Sequence, residues 1–465
     1  MKSVTELRSQ HPRFFYKKYE WHWDANTLTL QWHFFIEPGF DFHPSMHFPN
    51  VSEQQFRQIS EVELNLHAFS LGLAEMLSYW KLTAAPEIII EAQPLTPEQT
   101  SWWHQLLIQG MGEYFYINQI EFTAPDFVSI RTALPETPEP TASQLNLPEP
   151  ANPRILIPLG GGKDSAVTLE LFRQNLDPAN LSCLLINPTQ AARDIAAASQ
   201  LKTITVTREL DPLLLSLNSQ GYLNGHVPIS ALFAFTSLLA ARLHDYHFIP
   251  VSNERSSNEG NVEYLGKEIN HQYSKTFAFE KAFSAYISQF YPANSPRYFS
   301  YMRPLFELQI AKIFSTMKTY HPIFRSCNVG QKTNSWCGQC SKCLFAFIIL
   351  YPFVNLSELT GYFGENLLDK PELLTIALEL VGASEHKPFD CVGTHEESLA
   401  AFHLCWQKWQ QTQPDSSQQL LQQVYKQVLS QEANLDERAQ TILQAWNNEH
   451  LIPSQTWENW LKAAK

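Results

Sequence analysis

Six residues, Gly160-Gly161-Gly162-Lys163-Asp164-Ser165, are of the types that hold phosphate. They follow the apolar run Ile155 to Leu159, which reads as a buried strand, and precede Ala166 to Phe172, which reads as a helix. A glycine turn there presents unpaired backbone N–H groups at the positive end of a helix. That is an anion cradle, and the pyrophosphate of a nucleotide is the anion expected in it. A second group can do different chemistry. Cys327, Cys337, Cys340 and Cys343 follow the spacing C-x9-C-x2-C-x2-C. Four thiolates are the number a closed tetrahedral Zn²⁺ site needs, and Gly338 permits the turn between them. An iron–sulfur cluster also takes four cysteines. Four ligands with no open position favour a structural zinc.

Neither familiar glycine signature accounts for the loop. A phosphate-binding G-x4-G-K-[ST] loop fails because Asp164 follows Lys163, and G-x-G-x-x-G fails because Ser165 stands at its last position. What remains, G-G-x-D-S, resembles the PP-loop of the ATP pyrophosphatase superfamily, usually S-G-G-x-D-S. The resemblance implies ATP cleavage to AMP and pyrophosphate. Gly160 stands where that family has serine, so a hydroxyl donor is missing. Arg303-Pro304-Leu305, with Glu307 and Lys312 following on an expected helix, resembles a later segment of the same superfamily. Arg303 is expected to meet a phosphate bidentately. Ser252-Asn253-Glu254-Arg255 follows another expected strand, and Glu254 or Asp164 is expected to hold Mg²⁺ through water. The plain alternatives are an ordinary strand–helix turn capped by Asp164 and Ser165, and a solvated Glu254–Arg255 pair.

Further runs are more distinctive. They are Asn224-Gly225-His226-Val227-Pro228, Ser252 to Ser256, Asn270-His271-Gln272-Tyr273-Ser274-Lys275, Ser326-Cys327-Asn328 and Pro388-Phe389-Asp390-Cys391-Val392-Gly393. With the glycine loop they resemble the bacterial UDP-N-acetylmuramoyl-L-alanyl-L-glutamate epimerase family, the MurL type, from about residue 14 to 397. That resemblance implies ATP- and Mg²⁺-dependent inversion of a terminal L-glutamate to D-glutamate, with AMP and pyrophosphate released, for peptidoglycan synthesis. Adenylylating a carboxylate makes its α-proton acidic enough to remove, and inversion then needs an acid and a base on opposite faces. The candidates are His271 first, then His226, Lys275 and Cys391. Arg255 and Lys275 are candidates for the carboxylates or phosphates of the substrate. A PP-loop ligase similar to 7-cyano-7-deazaguanine synthase, which also carries four cysteines, is the rival enzyme. A zinc-stabilised nucleotide-binding module without turnover is the rival outside enzymology.

The elements that must position these groups are legible in outline. The chain has 465 residues, too many for one core. Strands expected at 155–159, 181–186, 203–207 and 247–251 alternate with helices, including one at 229–243. That rhythm specifies an α/β, doubly wound parallel sheet at 154–354, and the resemblance implies that it is of PP-loop type. Before it, an α+β domain at 1–134 opens with a hairpin at 19–36. A Pro-rich linker at 135–153 separates the two, and 355–465 reads as helical. The formal charge of −13 disfavours a nucleic-acid partner and leaves a small-molecule substrate. No secretory signal is visible at the N-terminus, and the longest apolar run, 344–354, is too short for a bilayer. Cytoplasmic placement with metal-bound thiolates rather than disulfides is expected. Cys183 and Cys405 read as core residues.

Overall fold

The structure is a computed structural model that describes residues 2–133, 150, 152–384, 386–412 and 417–465. The expected linker at 135–153 lies almost wholly outside the described residues. The chain divides into two compact units. The first comprises Met1–Leu156, Ile204–Ile249 and Glu263–Tyr298; the second comprises Ile157–Thr203, Pro250–Val262 and Phe299–Lys465. Compactness thus groups two later segments with the N-terminal residues, whereas composition draws its line at the prolines.

In the first unit, β1 (Arg13–Asp24) and β2 (Thr27–Ile36) form an antiparallel hairpin. Its two-residue turn puts Ala25 and Asn26 at φ 46° and 61°, the pairing that matches the twist of the strands. Alternation then sends Leu28, Leu30, Trp32, Phe34 and Ile36 inward. The strands β3 (Phe40–Phe42) and β4 (Ser45–Pro49) pair antiparallel with β2. On the other side β5 (Glu87–Ile90) runs parallel to β1, and β6 (Ser129–Thr132) parallel to β5. The helix Glu61–Glu75, capped by Ser60, covers the apolar face, and Trp32 Nε1 donates to the Ala68 carbonyl at 2.8 Å. The expected strand at 203–207 is present as Lys202–Glu209. It pairs antiparallel with β4, so the sheet is mixed rather than purely parallel.

This core contains a buried histidine with no hydrogen-bond partner on either ring nitrogen, His67. Its ring meets Tyr291 edge-on at 5.0 Å, and burial, then Arg242, push its pKa down to about 3. The folded state therefore holds it neutral, while the unfolded chain takes a proton below about 6.5. Stability falls as pH drops from about 6.5 towards 3, by on the order of 4 kcal/mol from this group. His67→Phe is expected to flatten that part of the pH–stability curve, measured by urea unfolding at pH 7 and pH 4. An unchanged slope would refute the assignment.

The second unit holds the carboxyl ends of Ile155–Pro158, Phe248–Val251 and Arg297–Ser300, and the whole strand Leu181–Ile186. In open α/β sheets that end carries the ligand. The helices Lys163–Asn175, Gln190–Ser199, Glu307–Phe314, Ser341–Leu350 and His395–Thr412 make up much of the rest. Ser341–Leu350 is buried almost all round, as its apolar run requires. Among the described residues no helix is long and apolar enough to cross a membrane.

Candidate functional site

The glycine loop lies between the strand Ile155–Pro158 and the helix Lys163–Asn175. Gly161 has φ +92°, and a Cβ there would sit 2.9 Å from the Ala192 backbone nitrogen and 3.0 Å from Ala191 Cβ, so only glycine fits. Around Gly160 nothing lies within 4 Å of the Cβ position. Gly162 is the helix N-cap and no side chain caps it. Ser165 Oγ instead donates to the Gly162 carbonyl at 3.0 Å. The plain capping account of Asp164 and Ser165 is therefore not what the structure contains. The first-turn N–H groups are left for an anion.

Lys163 points inward. Its ammonium meets Asp164 Oδ1 at 2.6 Å and also bonds the buried carboxylate of Glu307. Burial by itself lowers the Lys163 pKa, but Asp164 and Glu307 outweigh it and raise it, so the ammonium stays charged. Burial and then Asp164, with Glu254 also near, hold Glu307 well above the carboxylate range against the opposing pull of Lys163. Lys163 thus pairs with two acids, and the charges of Asp164 and Glu254 add to burial in disfavouring the Glu307 carboxylate. Arg303 is wholly buried. It donates to the Glu254 carbonyl at 2.6 Å and to Ser257 and Ser300 hydroxyls at 3.0 and 3.2 Å. These contacts tie Arg303 to the loop carrying Glu254. Arg255 lies over the Phe306 ring at 4.4 Å.

The four cysteines converge as their spacing requires. Sγ atoms of Cys327 and Cys340 are 3.8 Å apart, Cys337 and Cys343 3.7 Å, and Cys340 and Cys343 3.5 Å. A tetrahedron of Zn–S bonds of about 2.3 Å has edges of about 3.8 Å. The set therefore fits a zinc ion, and Gly338, at φ +67°, makes the turn. The helix Ser341–Leu350 carries Cys343 in its first turn and has Cys340 as its N-cap. The cluster also reaches the glycine loop through its own chain. Two residues before Cys327, the Arg325 N–H donates to the Gly161 carbonyl at 2.9 Å, and Ser326 Cβ is 3.9 Å from the Cβ position of Gly162. Cys343→Ser is expected to lose one zinc equivalent by elemental analysis and to loosen this strap, lowering the melting temperature. Retention of both zinc content and melting temperature would contradict it.

The first unit brings three of the acid–base candidates together. His226 and His271 rings are 5.9 Å apart, edge to face, and His226 Nδ1 is 3.8 Å from Glu113. Burial, then His271, Lys275 and Lys81, push His226 down to about 4, so it is neutral at pH 7. Lys275 donates to Gln272 Oε1 at 3.3 Å. Lys81 donates to the Gly225 carbonyl at 3.1 Å, and burial, then Arg208, bring it down to about 8. The 224–228 loop packs closely: a Cβ at Gly110 would be 2.7 Å from Pro228. A cleft of 490 Å³ in the same unit includes Gly112, Phe122, Lys267 and Ile269 in its lining. Gly112 adjoins Glu113, and Ile269 lies two residues from His271. The fourth candidate, Cys391, is in the second unit on a half-buried loop. Its neighbour Asp390 accepts from Ser341 and from Asn328.

The MurL N-terminal domain model matches residues 5–301 and the MurL C-terminal domain model matches 323–438. The chain belongs to the MurL family. Three curated relatives bear the name UDP-N-acetyl-alpha-D-muramoyl-L-alanyl-L-glutamate epimerase. That of Xanthomonas oryzae pv. oryzae is 32% identical over 83% of this chain and 84% of its own. That of Salinispora tropica is 35% identical over 70% of each, and that of a Micromonospora species 34% over 70% and 72%. No solved structure matches.

Several residues of this MurL-family chain escape sequence reading. Lys81 and Glu113 stand on helical or turn segments with no motif around them. Arg325 stands one residue before the run quoted for Cys327, and its Nε is buried without a partner beside the glycine loop. Glu397 is wholly buried and accepts from Ser256 Oγ at 2.5 Å, Thr394 N at 2.8 Å and Leu308 N at 3.3 Å. It ties the loop after Glu254 to the helix that presents Glu307. A carboxylate at the start of that helix is also favoured by the helix dipole.

Proposed function

We propose that this chain inverts the terminal L-glutamate of UDP-N-acetylmuramoyl-L-alanyl-L-glutamate to D-glutamate, with ATP consumed to AMP and pyrophosphate. The observation that carries the ATP requirement is the uncapped glycine loop with Lys163, Asp164 and Glu307 at its helix start. The names of the relatives support the substrate.

In this reading a glutamate carboxylate oxygen attacks the α-phosphorus of ATP and pyrophosphate leaves. Backbone N–H groups of Gly161 and Gly162 with Arg325 receive the pyrophosphate charge. Asp164 and Glu254 are oxygen donors suited to Mg²⁺, which would offset phosphate charge in the cradle. The anhydride acidifies the α-carbon. His271 takes the proton from one face, and Lys81 returns a proton to the other. Water then cleaves the anhydride, giving the free carboxylate and AMP. His226, Lys275 and Cys391 remain the alternative proton carriers, to be separated by substitution. The 490 Å³ cleft is of the size that takes part of a nucleotide-sugar.

The deciding experiment is AMP release in D₂O with the UDP-muramoyl dipeptide present or absent. The expected result is substrate-dependent AMP with one solvent deuterium at the glutamate α-carbon. ATP turnover without exchange would sink the epimerase reading. A pH profile tests Lys81. As an acid whose pKa is brought down to about 8, it is lost as pH rises, so kcat should fall through about pH 8. A rate flat from pH 7 to 9 counts against it.

A further inference from the structure

We propose that His33, Asp41 and His43 form a binding site for a divalent transition-metal ion on the solvent face of the first unit, separate from both the four-cysteine cluster and the acid–base group. The strand register builds it. Phe34 pairs with Phe42 and Phe35 with Asp41, and the chain continues one residue past the end of β3 to His43, whose ring stacks on that of His33. Side chains alternate along strands, and Leu28, Leu30, Trp32 and Phe34 take the buried face. His33, Asp41 and His43 are thereby left together on the opposite face.

The side chains then converge. The two imidazoles stack with centroids 4.6 Å apart at 24°. His33 Nε2 contacts Asp41 Oδ1, and His43 Nε2 is 3.8 Å from the same oxygen. One ligand atom from each residue lies within 4.8 Å of those of the other two. The His43 backbone is pinned by its N–H bond to Asp211 at 2.8 Å, which fixes one ligand before any ion arrives. A second carboxylate, Glu20, is near enough to feel both histidines, after its stronger pairing with Lys18. Two imidazoles and a carboxylate suit Zn²⁺, Co²⁺ or Ni²⁺, and three protein ligands leave a coordination position open. The set is pre-organised: His33 and Asp41 stand on the paired strands β2 and β3, and His43 follows directly after β3 with its backbone N–H held by Asp211.

The test uses the full chain, stripped of metal and titrated with ZnCl₂ or CoCl₂ alone. Cobalt separates the two sites, because only thiolate ligation gives an intense near-ultraviolet charge-transfer band. The expected result is two zinc equivalents in wild type, the second with Kd below about 10 µM. The doubly substituted His33→Gln, His43→Gln protein should bind one, with its melting temperature and thiolate band unchanged. Cys343→Ser should keep the histidine-dependent equivalent and lose the thiolate band. Equal zinc stoichiometry in wild type and the double variant would overturn the proposal. So would wild-type binding confined to the thiolates, in which case the three side chains are a hydrogen-bonded surface cluster.

Discussion

Gly161→Ala is expected to lower kcat/KM for ATP by about 10²-fold or more while the protein still folds. Two independent penalties act at this residue. Its φ of +92° is strained for any L side chain, at a cost of about 1–3 kcal/mol. An added Cβ would also meet the Ala192 backbone nitrogen at 2.9 Å, a fixed partner at the start of the helix Gln190–Ser199. The loop must move, and displacing a phosphate cradle by about 1 Å costs on the order of 10²-fold in rate. The same carbonyl accepts the Arg325 N–H, so movement also withdraws Arg325. Gly160→Ser is the contrasting case. No atom lies within 4 Å of its Cβ position, so the serine fits and restores the hydroxyl donor that Gly160 lacks. Its expected effect is an unchanged fold and an equal or lower KM for ATP. Steady-state kinetics with melting curves checks both. Full activity in Gly161→Ala would remove the glycine loop from the mechanism.

Lys163→Met is expected to cost about 3–5 kcal/mol of stability at pH 8, because it leaves buried acids without their cation. The loss depends on pH, and the sign follows from Glu307. Its folded pKa lies well above the unfolded value, because burial and Asp164 disfavour the carboxylate. Removing Lys163 removes the opposing attraction and raises it further. A raised carboxyl contributes stability that is present at low pH and lost as pH rises through the folded pKa. Lys163→Met should therefore be much closer to wild type at pH 5 than at pH 8. Adding Glu307→Gln should recover most of the loss at pH 8, while ATP turnover stays low because the ammonium is still absent. Urea unfolding of the single and double variants at both pH values is the measurement. A loss independent of pH would show that packing, not charge, holds Lys163.

Local patterns were legible because their causes are local. The hairpin expected at 19–36, which the structure extends back to Arg13, follows from alternation, and the helix 229–243 from its apolar content bounded by Pro228. The cysteine cluster needs only a chain short enough to fold back on itself. Strand, glycine loop and helix at 155–175 are contiguous, so the uncapped helix start is written in adjacent residues. Family membership was legible from several short runs taken together.

Partners distant in sequence were not legible. Lys163 and Glu307 are 144 residues apart. Their pairing exists because two helices pack, which no spacing encodes. The Arg-Pro-Leu run gives no sign that Arg303 would bond the Glu254 carbonyl and the Ser257 and Ser300 hydroxyls. The strand Lys202–Glu209 reads as one more member of a parallel sheet, yet it pairs antiparallel with β4. Strand propensity is the same in either direction. Lys81 carries no motif, and its pKa is lowered by burial and then by Arg208, neither of which a local pattern encodes. By itself, then, the sequence determined the chemical groups and the short elements that carry them, because torsional preference and hydrophobic period act within a few residues. Only the tertiary structure decided which groups meet, because burial and charge pairing depend on how distant segments pack.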